Sequence, residues 1–231
     1  MKVVRTRRGA RIVEDDVVLS ELLARPGPTH ALFDVLAACV AVLAPGPRFA
    51  MLGFAGGGIV APLRALGFVH PVRAVDLSRE GEDLFRELSS EWAGDVCLEI
   101  EDAADWLRRR RSRWDLILED LSVPSPAGTV KPYVSFDALP GLIQSRIAPA
   151  GIALTNLLPL PGTSWEALTA RIAHPHRNAL AVIFEEYENR FVVAGDELPG
   201  ASTLSRRLGR ALRSIGSGQC GRISVRTLFR N

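Results

Sequence analysis

Arg48-Phe-Ala-Met-Leu-Gly-Phe-Ala-Gly-Gly-Gly58 decides how the rest of the chain is read. The residues after Arg48 are apolar and read as a buried strand, and the glycines lead into a helix-like run from Ile59 to Leu66. A strand that ends in glycines at the start of a helix lets the backbone approach a ligand, with free amide groups turned towards it. A tight strand-to-helix turn also needs glycine for steric reasons, so the turn alone does not separate a cofactor site from a structural one.

Outward from this turn the pattern alternates. Strands are predicted at 48–53, 72–76, 96–100 and 115–120, with helices at 59–66, 79–92 and 102–110, the signature of a parallel α/β sheet. Ser78 is placed to cap the second helix, whose first turn carries Glu80 and Glu82 and whose apolar face is Leu84, Phe85, Leu88 and Trp92. A Gly- and Pro-rich loop is expected at 124–132, then a helix at about 134–147, a strand at 152–156 and a helix from Ser164 to Ile172. Ala179 to Phe184 and Arg190 to Ala194, joined by Glu185-Glu-Tyr-Glu-Asn189, have the form of an antiparallel hairpin. A helix at 202–214 and a β-like run from Ile223 to Phe229 complete the chain.

Upstream, Val3-Val4-Arg5 and Arg11-Ile12-Val13 flank an Arg-Arg-Gly turn, and Val17-Val18-Leu19 stays extended. A break at Arg25-Pro-Gly-Pro28 precedes a largely apolar helix from His30 to Ala44. The expected organisation is therefore an N-terminal hairpin and lid-like helix over 1–47 and a Rossmann-like domain over 48–231.

At 231 residues and 47% hydrophobic content, one sizeable core is expected. The net charge of +2 lacks the broad basic excess of a nucleic-acid binder, so no nucleic-acid partner is expected. Cys39, Cys97 and Cys220 are odd in number and scattered, which leaves neither a disulfide framework nor a Cys-x-x-Cys metal site. With no spanning-length apolar run and no signal-peptide core, the expectation is a cytoplasmic protein without membrane attachment. Arg outnumbers Lys so heavily that Lys2 and Lys131 are the only lysines.

In an open α/β sheet, ligands bind beyond the carboxyl ends of the strands. The first strand of the alternation ends in glycines, the second in Asp76, the third in Glu101-Asp102-Ala103 and the fourth in Glu119-Asp120. Asp76 lies 23 residues after Gly53, about the spacing at which a carboxylate takes both hydroxyls of a ribose. The turn fits a dinucleotide fingerprint with Asp76 as its ribose acid, and it also fits the looser turn of adenosylmethionine-binding domains. Asp102 separates the two, since an adenosyl ligand can use that acid as acceptor for its exocyclic amine.

Residues 48 to 156 resemble the class I adenosylmethionine-dependent methyltransferase fold, and specifically its spermidine-synthase-like branch. Trp114-Asp-Leu-Ile-Leu-Glu-Asp-Leu-Ser-Val-Pro-Ser125 is similar to that branch's hydrophobic strand followed by Asp-x-x-Asp-Pro. Glu101-Asp102-Ala103 resembles its Gly-Asp-Ala, and Val17-Val18-Leu19-Ser20 resembles a shortened entrance to its core domain. The resemblance implies a doubly wound, mostly parallel seven-stranded sheet that ends in an antiparallel hairpin. It also implies an S-adenosyl-L-methionine site, or a site for the decarboxylated form, made by Gly53, Phe54, Ala55, Gly56, Gly57, Asp76, Leu77, Asp102, Ala103 and Asp120.

Two departures shape the functional expectation. Aminopropyltransferases carry an acid inside the glycine turn, where this chain has Gly56, and a second acid before the proline, where it has Val123. Gly56 is expected to leave room for the carboxylate of intact adenosylmethionine, which favours that cofactor. The leading expectation is an enzyme that transfers a methyl group to a small molecule, with transfer or cyclisation of the cofactor's aminocarboxypropyl chain open. The alternatives are an aminopropyltransferase and a non-catalytic nucleoside-binding protein, with a nicotinamide dehydrogenase more distant. An amine is among the candidate substrates and a homodimer is open.

Asp120 is the candidate catalytic residue, placed to orient or deprotonate a nucleophile. Glu119 should point to the opposite face of the strand and make a structural ion pair. Tyr133 is the candidate at the substrate mouth. His30 is read as a surface or core residue before an active-site one. His174 and His176 lack a third metal ligand, so no metal is expected. Arg108 to Arg113 and the Arg206, Arg207, Arg210 and Arg213 set read as solvated helix faces.

Overall fold

A computed structural model describes residues 2–14, 17–125 and 128–230. The core is a sheet of eight strands, and its central strands are buried along sequences that are mainly apolar. β1 (Lys2–Thr6), β2 (Gly9–Glu14) and β3 (Val17–Leu23) form a separate antiparallel sheet at the N-terminus. α1 (Leu32–Leu43) follows, then β4 (Phe49–Leu52), α2 (Val60–Ala65), β5 (Val72–Asp76), α3 (Glu82–Ser89), β6 (Val96–Ile100), α4 (Ala103–Arg109) and β7 (Trp114–Glu119). A short hairpin of β8 (Val123–Ser125) and β9 (Gly128–Val130) leads to a 3-10 turn at Tyr133–Ser135 and α5 (Ala138–Arg146). β10 (Ile147–Leu157), α6 (Trp165–Ala173), β11 (Asn178–Phe184), β12 (Arg190–Gly195), α7 (Ala201–Ser214) and β13 (Ile223–Arg230) complete the fold.

The main sheet runs β13-β11-β12-β10-β7-β4-β5-β6. β10, β7, β4, β5 and β6 are mutually parallel, and β12 is antiparallel to both β10 and β11, so the C-terminal hairpin closes the sheet as expected. The seven expected strands are present. The sheet gains an eighth because the run after α7, which carried no sheet assignment in the sequence, pairs antiparallel with β11. The order reverses between β4 and β7, which start from the centre in opposite directions, and this switch point puts the glycine turn and the end of β7 side by side.

Local differences from the sequence reading have physical causes. α3 starts at Glu82 rather than at 79, behind Gly81, and Ser78 does not cap it: Ser78 Oγ accepts from the Glu80 amide in the preceding turn. A Cβ at Gly81 would collide with the Ala55 carbonyl oxygen, so the chain must pass the glycine turn before it can coil. β10 begins at Ile147, earlier than expected, because an irregularity between Ile147 and Ile152 lets the Pro149 to Gly151 stretch stay in the strand. The loop expected at 124–132 contains the β8–β9 ladder, with Val123 opposite Val130; residues 126 and 127 of that expectation lie outside the described residues.

α1 was expected to be lid-like, yet Val35 to Val40 are fully buried in the main core, packed with α2 and α7. Its Asp34 is buried too, and accepts hydrogen bonds from the Thr29 amide and hydroxyl, the His30 amide and the Ser217 hydroxyl. Four donors to one carboxylate satisfy a group whose burial would otherwise be costly. No helix among the described residues is long and apolar enough to cross a membrane.

Candidate functional site

The glycine turn is held by Asp76. At the end of β5, its Oδ2 accepts from the Phe54 amide at 2.6 Å and the Ala55 amide at 2.9 Å, and its Oδ1 accepts from the Ser78 amide at 3.1 Å. Gly53 donates to Val75 O, Gly57 to Phe54 O and Gly58 to Ser20 Oγ. Of the amides from Gly53 to Gly58, that of Gly56 alone has no acceptor among the described residues. The free amides expected of the turn are thus mostly spent inside the protein, and the turn offers an anion one donor rather than a nest.

The backbone conformation explains the glycines. Gly53 has φ 89° and Gly57 φ 70°, in the region that side chains disfavour. Ala55 takes φ 50° without being glycine, a conformation that the hydrogen bond from its amide to Asp76 helps to hold. A Cβ at Gly53 would sit 2.6 Å from Asp120 O, so the turn lies directly against the end of β7.

Gly56 corrects the sequence reading. A Cβ there would lie 2.5 Å from Ile12 Cδ1 and 2.9 Å from Leu22 Cδ1. The space left by the missing acid is filled by apolar side chains of the N-terminal sheet and is not open to a cofactor carboxylate. Ser20 bonds the Gly58 amide, and Arg5 bonds Glu87 on α3, so β1 to β3 are tied onto the turn from above.

Asp120 follows β7 and is half-buried. Its Oδ1 accepts from Asn156 Nδ2 at 2.7 Å, and Asn156 Oδ1 accepts from Asn189 Nδ2 at 2.9 Å. This relay runs from β7 across β10 to the start of β12. Burial pushes the Asp120 carboxyl up to about 6; the Asn156 hydrogen bond and the Lys131 charge oppose the rise, while Glu119 and Asp76 add to it. A carboxylate that holds its proton this tightly is a better proton acceptor near neutral pH than an ordinary one.

One residue earlier, Glu119 points the other way, as strand alternation predicts. Its Oε1 accepts from Lys131 Nζ at 2.6 Å, Ser135 Oγ at 3.0 Å and the Leu121 amide at 3.1 Å. Both Glu119 and Lys131 side chains are 1% exposed. Glu119 also lines an internal cavity of about 10 Å³ with Ser135, Thr155 and His176, about the room of one water molecule. His176 is buried there, and burial lowers its proton affinity.

The remaining expected residues occupy the rim unevenly. Leu77 is 70% exposed beside Asp76, an apolar side chain presented at a strand end. Asp102 caps α4, with Oδ1 accepting from the Ala104 and Asp105 amides, and Ala103 is buried behind it. Tyr133 is 71% exposed at the 3-10 turn. Phe54 is buried edge-on to Phe85, which makes its ring a packing group and leaves only its amide at the turn.

His30, His174 and the run from Arg108 to Arg110 are held by bonds of their own. His30 Nδ1 accepts from the Gly218 amide and its carbonyl accepts from Gln219, pinning the loop after α7. His174 Nδ1 contacts Arg171 O at 3.0 Å. No cluster able to hold a metal occurs among the described residues. Arg108 pairs with Asp105, Arg109 with Glu99 and Glu101, and Arg110 with Glu99, so this run is bound in ion pairs and only partly a solvated face. On α7, the four arginines are exposed opposite buried Leu204, Leu208 and Leu212.

Sequence reasoning missed Asn156, Asn189, Lys131 and Ser20. For Lys131 a signal existed, a lysine in a chain that otherwise uses arginine. The others owe their place to pairings across 36, 33 and 38 residues, which local pattern does not show.

No protein-family model matches the chain, and no curated protein matches it by sequence. Among solved structures, it is similar to a probable spermidine synthase from Corynebacterium glutamicum, with a TM-score of 0.74 at 14% identity over 98% of this chain and 86% of that one. A spermidine synthase in complex with the transition-state analogue AdoDATO gives a TM-score of 0.67 at 11% identity, covering 95% of this chain and 80% of that one. Human methyltransferase-like protein 13 in complex with SAH gives 0.58 at 18% identity, covering 80% and 91%. The fold is therefore that of class I adenosylmethionine-dependent methyltransferases, with spermidine synthases among its structural neighbours.

Proposed function

We propose that the chain is an adenosylmethionine-dependent transferase acting on a small molecule, with methyl transfer as its leading reaction. The observation that carries this reading is the rim itself: Asp76 is locked to the glycine turn by the Phe54 and Ala55 amides while the turn abuts Asp120. Three amide bonds leave the Asp76 carboxylate with acceptor capacity for a ribose hydroxyl, since such a group offers about four lone-pair sites. Leu77 supplies an exposed apolar surface for an adenine ring, and Asp102 an acceptor for its exocyclic amine.

Bound there, an adenosyl sulfonium supplies an electrophilic carbon with a good leaving group. The protein's part is to hold the nucleoside at Asp76, Leu77 and Asp102 and to orient the nucleophile at Asp120. Asp120 Oδ2, which accepts no hydrogen bond among the described residues, takes the nucleophile's proton, while Asn156 fixes Oδ1. Val123 and Gly56, both non-acidic, disfavour a polyamine-type substrate and so favour methyl transfer.

A second reading is aminopropyl transfer from the decarboxylated cofactor. It is supported by the spent amides of the turn, which leave a cofactor carboxylate little to bind, and by the near-complete coverage of the chain by spermidine synthase structures.

Calorimetry with S-adenosylmethionine and with its decarboxylated form, on the wild type and on Asp76→Ala, tests the site. Binding of the intact form that Asp76→Ala weakens at least about tenfold supports the leading reading. Preference for the decarboxylated form replaces it with the second, and binding of neither removes both. Mass spectrometry of products with candidate acceptors separates the reactions: adenosylhomocysteine reports methyl transfer, and methylthioadenosine reports transfer or cyclisation of the chain.

A further inference from the structure

Lys131 is a rare residue type in an unusual place. It is one of two lysines in the chain, and its side chain is fully inside the protein, at the start of the mouth segment directly after the β8–β9 hairpin. Its ammonium donates to Glu119 Oε1 at 2.6 Å and to Leu121 O at 2.8 Å, the residues on either side of Asp120. Glu119 Oε1 in turn accepts from the Leu121 amide and from Ser135 Oγ. One buried charge pair therefore ties together both peptide neighbours of Asp120 and both ends of the 131–135 segment, whose middle carries the exposed Tyr133.

We infer that Lys131 is a positioning residue that acts through Glu119 to fix Asp120 and the mouth segment in register. The inference rests on the reading of Asp120 as the proton acceptor. A buried pair of this kind is weak as a source of stability compared with an apolar pair, so its value lies in the arrangement it specifies. The pair orders two loops with a single carboxylate, which packed leucines would not do with the same directionality. Its charges also reach Asp120. The charged groups that act on Asp120 are Lys131 behind the mouth segment, Glu119 on β7 and Asp76 on β5, with neutral Asn156 on β10 bonded to it. Of the three charges, that of Lys131 alone favours the ionised carboxylate, as the Asn156 hydrogen bond also does.

Lys131→Met and Glu119→Gln should then act in opposite directions. The midpoint of Asp120, followed by the carbon shift of its carboxyl in NMR and assigned with Asp120→Asn, needs no ligand. Lys131→Met is expected to raise that midpoint by about one pH unit, and Glu119→Gln to lower it, because the glutamine keeps an acceptor for Lys131 but removes a like charge. Lys131→Arg should stay close to the wild type. Shifts of both in the same direction, or no resolved shift in either, overturn the inference. If Lys131→Met does not fold, a fall in Glu119→Gln with an unmoved Lys131→Arg supports it, and any other pair of results overturns it.

The pH profile of product formation with adenosylmethionine supplies the functional arm. Its acid limb should move with the Asp120 midpoint in each variant. If the NMR shifts occur and the limb stays put, Lys131 does not position a proton acceptor and the inference fails. If the wild type forms no product at all, the reading of Asp120 as proton acceptor fails, and the inference with it; the NMR arm then establishes only the electrostatic coupling.

Discussion

Glu119 and Asp120 are joined by one peptide bond at the end of the same strand, and they live in different chemistries. Glu119 faces the closed side of the sheet, where a lysine, a hydroxyl and an amide satisfy one of its oxygens. Asp120 faces the rim, where the one hydrogen-bond partner of its carboxylate among the described residues is the neutral Asn156 and its neighbours Glu119 and Asp76 are acidic. The pleat of a strand is enough to separate them, because successive side chains point to opposite faces. The result is a division of labour: the inner acid is neutralised in place and organises loops, while the outer acid carries a disfavoured charge and an oxygen that accepts no hydrogen bond among the described residues.

The largest effect should come from breaking the inner pair. Lys131→Met strands a buried carboxylate and is expected to destabilise the protein by about 3–5 kcal/mol in urea unfolding at pH 7. A comparable loss from Asp120→Ala would show that the two acids do not differ in the way described.

Next in size is Gly56→Asp, which restores the acid seen in aminopropyltransferases. Its side chain would enter the space of Ile12 and Leu22, at a cost of about 2–4 kcal/mol from overpacking and an unpaired charge. The expected result is a lowered melting temperature and no gain of aminopropyl transfer. An undiminished melting temperature would mean that the N-terminal sheet does not seal the turn.

Asp120→Asn is smaller and depends on pH. The folded carboxyl titrates at about 6, above its ordinary 3.8, so the native state binds the proton more tightly than the unfolded chain does. The resulting stability is fully present below about pH 4 and is lost as pH rises through about 6. The asparagine variant should therefore match the wild type near pH 4 and exceed it by about 1–3 kcal/mol at pH 8. Paired unfolding curves at the two pH values check this, and a gain confined to low pH would reverse the assignment. Smallest of all, Asn189→Ala should cost about 1 kcal/mol and displace Asn156, read as a raised Asp120 midpoint in the carboxyl NMR shifts, because the Asn156 hydrogen bond favours the ionised carboxylate.

Much of this was legible in the chain. Apolar runs of four to seven residues between helical patterns marked the parallel strands, and reading the last residue of each found Asp76, Asp102 and Asp120. Strand alternation alone sent Glu119 inward. The failures have one origin, which is that backbone groups find partners far away in sequence. The turn looked like a row of free amides because Asp76 was read as waiting for a ligand, when it first serves the turn. Gly56 looked open because Ile12 and Leu22 stand more than thirty residues earlier. α3 was started too soon because no local signal shows that Gly81 must slide past Ala55.

β13 has a further consequence. As one of the two edge strands it pairs with β11 on one side and leaves on the other a row of peptide groups able to template another chain. Arg222 stands at its entry, and Arg226 and Arg230 lie within it. A second copy approaching this edge would meet the Arg226 and Arg230 side chains, while Arg222 is paired with Glu186, so this border of the sheet carries its own deterrent to fibril-like growth.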